Sequence, residues 1–218
     1  MILFIDSANL MQIKELSSIG ITSGVTTNPS IMAKEGIVGE QNWLQHYINI
    51  CNSTEGPVSA EVIAIDYEGM LKEAYHLAAL HPNIVVKIPM TKEGLRVIRQ
   101  LNSEGIQTNC TLIFTATQAL LAAKVGATYV SPFIGRLDDT GEDGLEIIQS
   151  IRTIFDNYDY KTKILAASIR NQEHIIKCAE IGADVITAPY SILIKLIEHP
   201  LTTKGLATFL ADHARLNR

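Results

Sequence analysis

Short apolar runs rich in β-branched residues alternate along this chain with longer stretches whose apolar residues recur every three or four positions. The short runs are residues 2–6, 24–28, 58–63, 84–89, 107–114, 129–134, 163–168 and 184–187. Unbroken apolar runs of this length suit strands covered on both faces, as in a parallel sheet. Residues 8–19 carry Leu10, Ile13, Leu16 and Ile19, and residues 67–80 carry Met70, Leu71, Ala74, Leu77 and Ala78, both with helical spacing. Residues 91–101, 115–125, 144–155, 171–181 and 191–197 behave similarly. Thr91 and Thr115 stand where N-caps belong, and Gly20, Gly105, Gly126 and Gly182 follow helical stretches at the C′ position. Additional helical pieces are predicted at 42–51 and 206–216.

Eight β units alternating with helices, without a linker or low-complexity tract, predict an α/β fold, a (β/α)8 TIM barrel with an additional C-terminal helix. An open doubly wound sheet is the alternative, but neither a GxGxxG nor a P-loop favours it. The expected organisation is one barrel domain over 1–218, with 201–218 as a C-terminal helical extension. The extension is amphipathic through Leu206, Phe209, Leu210 and Leu216, and must pack on the barrel or on another subunit. The pattern leaves that choice open.

Composition narrows the partners. The 218 residues are 47% hydrophobic, enough for a sizeable core. A net charge of −5 gives no reason to expect nucleic acid or an acidic membrane as a partner, although local arginines could still hold a small anion. Three cysteines, Cys51, Cys110 and Cys178, lack metal-ligand spacing and read as reduced thiols. Residues 1–6 have no basic segment of the signal-peptide type, and no apolar run approaches the roughly 20 residues of a membrane span. The expected address is the cytoplasm.

The candidate chemistry centres on Lys87, set late in the apolar run 84–89. A buried, unpaired ammonium is costly. Either the lysine reaches water or a carboxylate, or it is kept partly desolvated so that a neutral amine can attack a carbonyl. In a (β/α)8 barrel the active site lies at the C-terminal ends of the strands. Polar residues cluster there: Asp6, Asn28, Glu61, Lys87, Asn109 with Thr111, Ser131 with Phe133 and then Arg136, and Ser168 with Arg170. Residues two apart share a strand face, so Asn109 and Thr111 point one way and Cys110 the other. Each alone has an ordinary reading as a cap, a strand threonine or a surface ion pair. Together they permit Schiff-base chemistry. Lys87 would form the imine, Asp6 or Glu61 would move protons, and Glu61 with Thr111 would hold water. Asn28, Asn109 and Ser131 would hold hydroxyls, and Arg136, Ser168 and Arg170 a phosphate. The ordinary reading of Arg136 is a surface pair with Asp138 or Asp139; that of Arg170 is solvent exposure near a helix start, where the helix dipole disfavours a cation, so Arg170 attracts more attention.

Four segments then resemble a known family. Residues 24–30 (GVTTNPS), 84–89 (IVVKIP), 131–139 (SPFIGRLDD) and 166–170 (AASIR) are similar, in order and spacing, to signature segments of the transaldolases. The length resembles the small-subunit group, which also contains the fructose-6-phosphate aldolases. The resemblance implies a Schiff-base lysine at Lys87, a proton-accepting Asp6, and a catalytic water positioned by Glu61 and Thr111. It implies that Asn28, Asn109 and Ser131, beside Phe133, hold the dihydroxyacetone portion, and that Arg136, Ser168 and Arg170 hold the phosphate. The implied reaction moves a dihydroxyacetone unit from sedoheptulose 7-phosphate to glyceraldehyde 3-phosphate in the non-oxidative pentose phosphate pathway. It implies no metal, no organic cofactor, and a pentameric or decameric homo-oligomer. The aldolase branch, which releases free dihydroxyacetone, is the alternative. There the sites of Glu61, Phe133 and Asn109 resemble glutamine, tyrosine and an apolar residue. Ser7 stands where threonine is commoner. A non-catalytic sugar-phosphate-binding barrel is the alternative of another class.

Overall fold

A computed structural model describes residues 1–216 of the chain. Eight parallel strands close into a barrel in sequence order: β1 (Ile2–Asp6), β2 (Val25–Thr26), β3 (Val58–Glu61), β4 (Ile84–Pro89), β5 (Thr108–Ile113), β6 (Tyr129–Pro132), β7 (Lys163–Ala166) and β8 (Val185–Ala188). The helices around them are α1 (Leu10–Ser18), α2 (Pro29–Lys34), α3 (Glu40–Cys51), α4 (Tyr67–Leu80), α5 (Lys92–Ser103) and α6 (Ala116–Lys124). They continue with α7 (Ile134–Asp138), α8 (Gly144–Asn157), α9 (Gln172–Ile181), α10 (Tyr190–Leu193), a 3-10 turn (Ile194–Ile197) and α11 (Pro200–Leu216). The predicted (β/α)8 barrel is the observed fold.

The expected caps are in place. Thr91 and Thr115 accept the Gly94 and Gln118 N–H groups. Gly20, Gly105, Gly126 and Gly182 all have positive φ, the conformation that closes a helix before the next strand. Two short helices were not anticipated. The run expected over 24–28 pairs only at Val25–Thr26, because Asn28 turns to cap α2 and accepts the Ile31 N–H at 2.9 Å. The run expected over 129–134 ends at Pro132, and the chain folds at once into α7. Both helices are too short for helical periodicity to register.

The main core lies between the strands and the helices, with Ile13, Leu16, Met70, Ile88, Ile98, Ile148 and Phe155 buried there. The barrel interior is layered. Phe4, Val85, Tyr129, Leu165 and Val185 form an apolar floor. Two residues further along the same strands come Asp6, Lys87, Ser131 and Thr187. Strand periodicity puts these on the same inward face, so the interior changes from apolar to polar toward the C-terminal rim. The β5–β6 register shifts between Cys110 and Ile113, where Leu112 has a φ of +58°. Such bulges bend a strand locally and re-aim side chains beside a site.

Helix α11 replaces the piece expected over 206–216 and begins earlier, at Pro200. None of its residues is buried, and Leu201, Leu206, Phe209, Leu210 and Leu216 are exposed. Residues 217 and 218 of the expected extension lie outside the described residues. No helix among the described residues is long and apolar enough to cross a membrane.

Candidate active site

The register between β3 and β4 sets Glu61 directly beside Lys87. Lys87 is 5% exposed. Its Nζ lies 3.1 Å from Glu61 Oε2 and donates to the Thr27 carbonyl, also at 3.1 Å. The carboxylate pair anticipated as the ordinary reading is therefore present, yet the lysine also borders open space. A cavity of about 120 Å³ is lined by Lys87, Asp6, Thr26, Asn28 and Thr187. Ser131, Phe133, Arg136, Ala167 and Ser168 complete its lining. Larger depressions of about 460 Å³ beside Trp43 and about 790 Å³ beside Thr22 do not contain Lys87.

Asp6, at the end of β1, accepts the Thr26 hydroxyl at 2.6 Å. Thr26 Oγ1 is in turn 2.7 Å from Thr187 Oγ1. Burial pushes the Asp6 carboxyl above its ordinary value of 3.8, against the Thr26 hydrogen bond and the Lys87 charge, which pull it down. The Glu61 charge reinforces the rise. Desolvation is the largest of these influences, and it makes Asp6 a stronger proton acceptor than a surface aspartate.

On the far side of Lys87, the β4–β5 register places Asn109 next to the lysine. Asn109 is fully buried, donates to Ser59 Oγ at 3.2 Å and accepts from Ser131 Oγ at 2.8 Å. Thr111 stays in register with Pro89, two residues beyond Lys87. Its hydroxyl is buried without a protein partner, the condition in which an ordered water is commonly held. Cys110 packs outward, its Sγ 3.7 Å from Met90 Sδ.

The three residues expected at an anion are arranged differently from one another. Arg136 on α7 lines the cavity, with its guanidinium 5.0 Å above the Phe133 ring. Ser168 lines it too and has a φ of +59°, a strained conformation for a residue with a side chain. Arg170 does not line it. Its Nη2 donates to Asp139 Oδ2 at 2.7 Å on the surface. The surface pairing considered for Arg136 is thus made by Arg170.

Asp6, Asn28, Lys87, Ser131, Phe133, Arg136 and Ser168 share one cavity, while Glu61 and Asn109 touch the lysine or its neighbours from behind. Sequence reading missed Thr26, Thr27, Ser59 and Thr187. Strand period could have found two: Thr26 lies two before Asn28, and Ser59 two before Glu61. Thr187 ends the eighth run, where no polar residue had been singled out. Thr27 acts through its carbonyl, and no side-chain signal announces a backbone acceptor. Among the described residues, no group of three or more His, Cys, Asp or Glu is arranged to hold a metal ion.

Comparison with known proteins places the chain in a family. The family model described as Transaldolase/Fructose-6-phosphate aldolase matches residues 3–217. A protein of Flavobacterium psychrophilum named "Probable transaldolase" is 60% identical over 215 residues, covering 99% of both chains. Proteins with the same name from Phocaeicola vulgatus and Parabacteroides distasonis are 58% and 59% identical, each covering 98% of both chains. Among solved structures, the inosine 5′ monophosphate dehydrogenase of Legionella pneumophila superposes with a TM-score of 0.60 at 16% identity. That match covers 88% of this chain and 58% of the other, so the chain spans little more than half of that structure, and the likeness is one of fold alone. By its match along nearly its whole length, the chain belongs to the transaldolase and fructose-6-phosphate aldolase family.

Proposed function

We propose that this protein is a transaldolase, transferring a dihydroxyacetone unit between sugar phosphates through a Schiff base on Lys87. The observation that carries the reading is Lys87 itself: nearly buried, held between Glu61 and Thr27, and bordering the cavity that contains Asp6. The names of its relatives support the same reading.

The reaction begins when Lys87 gives up a proton, with the Glu61 carboxylate 3.1 Å away as the acceptor. The neutral amine adds to C2 of the ketose, and the carbinolamine loses water to form the imine. Glu61 and the unpartnered Thr111 hydroxyl suit the handling of that water. Asp6 then takes the proton of the C4 hydroxyl as the C3–C4 bond breaks. The bonding electrons pass into the protonated imine, the aldehyde leaves, and an enamine stays on Lys87. An acceptor aldehyde enters, the enamine carbon attacks it, and Asp6 returns the proton to the new hydroxyl. Hydrolysis of the second imine frees the product and restores the amine. With sedoheptulose 7-phosphate and glyceraldehyde 3-phosphate, the products are erythrose 4-phosphate and fructose 6-phosphate. Asn28, Asn109 and Ser131, with Phe133 alongside, form the dihydroxyacetone end, and Arg136 and Ser168 form the phosphate end, which Arg170 joins when it leaves Asp139. No step here calls on a metal or an organic cofactor.

The aldolase alternative needs the enamine to be protonated and released. Phe133 lines the cavity without a hydroxyl, so it offers no proton there, which favours transfer. The exposed apolar residues of α11 support a homo-oligomer, and the family resemblance is what implies a pentamer or decamer. We read the segment after residue 200 as an extension of one barrel unit, and the cytoplasm as its compartment.

Borohydride reduction with fructose 6-phosphate, followed by intact mass and peptide mapping, tests this directly. The expected result is a dihydroxyacetone-sized adduct on Lys87 that disappears when erythrose 4-phosphate is added, and that Lys87→Met lacks. Loss of the adduct without an acceptor would establish the aldolase. Folded protein without any adduct would establish the non-catalytic binding barrel.

A further inference from the structure

Behind the anion end of the cavity, two groups that the mechanism leaves unused face each other. His174, on α9, is 8% exposed. Its Nε2 lies 3.2 Å from Oδ2 of Asp138, the last residue of α7. Its Nδ1 accepts the backbone N–H of Arg170 at 3.4 Å. A ring nitrogen that accepts carries no proton, so the neutral imidazole bears its proton on Nε2 and donates it to Asp138. The second oxygen of Asp138 accepts the Gly144 N–H at 2.9 Å. The backbone N–H of His174 itself donates to the Asn171 side chain at 2.8 Å, which fixes where the ring starts.

These bonds join the two segments that carry the arginines. Arg136 sits on α7, and Arg170 follows Ser168 in the loop after β7. The same segments are stitched by Ile134 and Gly135 N–H groups donating to the Ala167 and Ser168 carbonyls, each at 3.0 Å. A strained residue such as Ser168 keeps its conformation only where its surroundings impose it. Two guanidinium groups bind one phosphate well only when both converge on it.

We propose that His174 and Asp138 are positioning residues for the phosphate end of the substrate. They clamp the Arg170 loop to the α7 turn so that Arg136, Ser168 and Arg170 close on a single phosphate. This rests on the reading of those three residues given under the proposed function. Neither member of the pair lines the Lys87 cavity, so its effect falls on holding the phosphorylated part and spares the imine.

The test is Asp138→Asn, which keeps the volume. Its amide cannot accept from both His174 Nε2–H and Gly144 N–H, so one donor is left facing another. Three readouts separate the ideas: KM against kcat for fructose 6-phosphate, binding of inorganic phosphate by calorimetry, and borohydride trapping of unphosphorylated dihydroxyacetone on Lys87. The clamp predicts roughly tenfold weaker fructose 6-phosphate and phosphate. It predicts kcat and dihydroxyacetone trapping within about twofold of the unaltered protein. His174→Gln, which can keep one of the two bonds, shows the same pattern at smaller size and decides the matter if the asparagine variant does not fold. Unchanged phosphate affinity overturns the proposal, as does an equal fall in all three readouts, which marks a merely structural role. If the unaltered protein traps no dihydroxyacetone, the Lys87 chemistry is wrong while phosphate binding still decides the clamp. If it binds no phosphate, the phosphate end and the clamp both fall.

Discussion

Lys87 and Glu61 form an ion pair of 3.1 Å inside the barrel rim, with the side chains 7% and 15% exposed. Glu61 thereby satisfies the ammonium, and in the proposed mechanism it is the group that takes the Lys87 proton. Glu61→Gln retains the shape and loses the base. Imine formation, followed by the rate of borohydride trapping, is expected to slow roughly 100- to 10,000-fold. An unchanged trapping rate would assign the proton to another group.

Asp6 has a distinct pH signature. Its folded pKa is raised above 3.8, so between 3.8 and that higher value the folded state binds more protons than the unfolded. Its contribution to stability is complete below about pH 3.8 and is lost as pH rises through the folded value. Asp6→Asn keeps an acceptor for Thr26 and removes the titration. Its Tm is expected to exceed that of the unaltered protein near neutral pH, with the gap closing toward pH 4. Turnover should fall by roughly 100-fold or more in the same variant. A gap that widens on acidification would contradict the burial argument.

Arg170 is held by Asp139 at 2.7 Å, with both side chains more than half exposed. Exposed pairs are worth about 1 kcal/mol or less. Releasing the arginine with Asp139→Asn should therefore tighten inorganic phosphate by up to about fivefold, measured by calorimetry. Weaker binding would mean that Asp139 orients Arg170 and does not compete for it.

Gly135 lets α7 lie against the loop after β7. A Cβ there would collide with the Ser168 carbonyl oxygen and come within 2.6 Å of the Arg170 side chain. Gly135→Ala is expected to cost about 1–3 kcal/mol in urea denaturation and to raise the KM for phosphorylated substrates more than it lowers kcat. Stability equal to that of the unaltered protein would show that the two segments separate easily.

Helix α11 carries Phe209 and Leu210 on an unburied face. Sedimentation should find an oligomer that falls apart on replacing both residues with glutamate. A monomeric unaltered protein would remove the oligomer from the account.

Much of this was legible in the chain. Apolar runs and helical periodicity encode local conformation and burial, so all eight strands could be read in order, and β1 and β4 to the residue. Lys87 stood out because an ammonium in an apolar strand demands compensation. The two-residue period sufficed to put Asn109 on one face and Cys110 on the other. Arg170 was harder: a long side chain in a loop can turn toward a cavity or toward Asp139, and nothing local in sequence decides which.

By itself, the sequence determined the alternation of strands and helices, the layer in which Lys87 would lie and the residues two apart that accompany it. These follow from periodicity and burial, which are properties of short segments. Tertiary structure alone decided which polar residues meet. Closure of the barrel sets Thr26 beside Thr187, 161 positions apart, and so shapes the surroundings of Asp6. The β3–β4 register set Glu61, not Asp6, as the ion-pair partner of Lys87. Packing of α7 on the loop after β7 set His174 and Asp138 behind the arginines. Each depends on strand register and helix docking between distant segments, for which a local pattern holds no record.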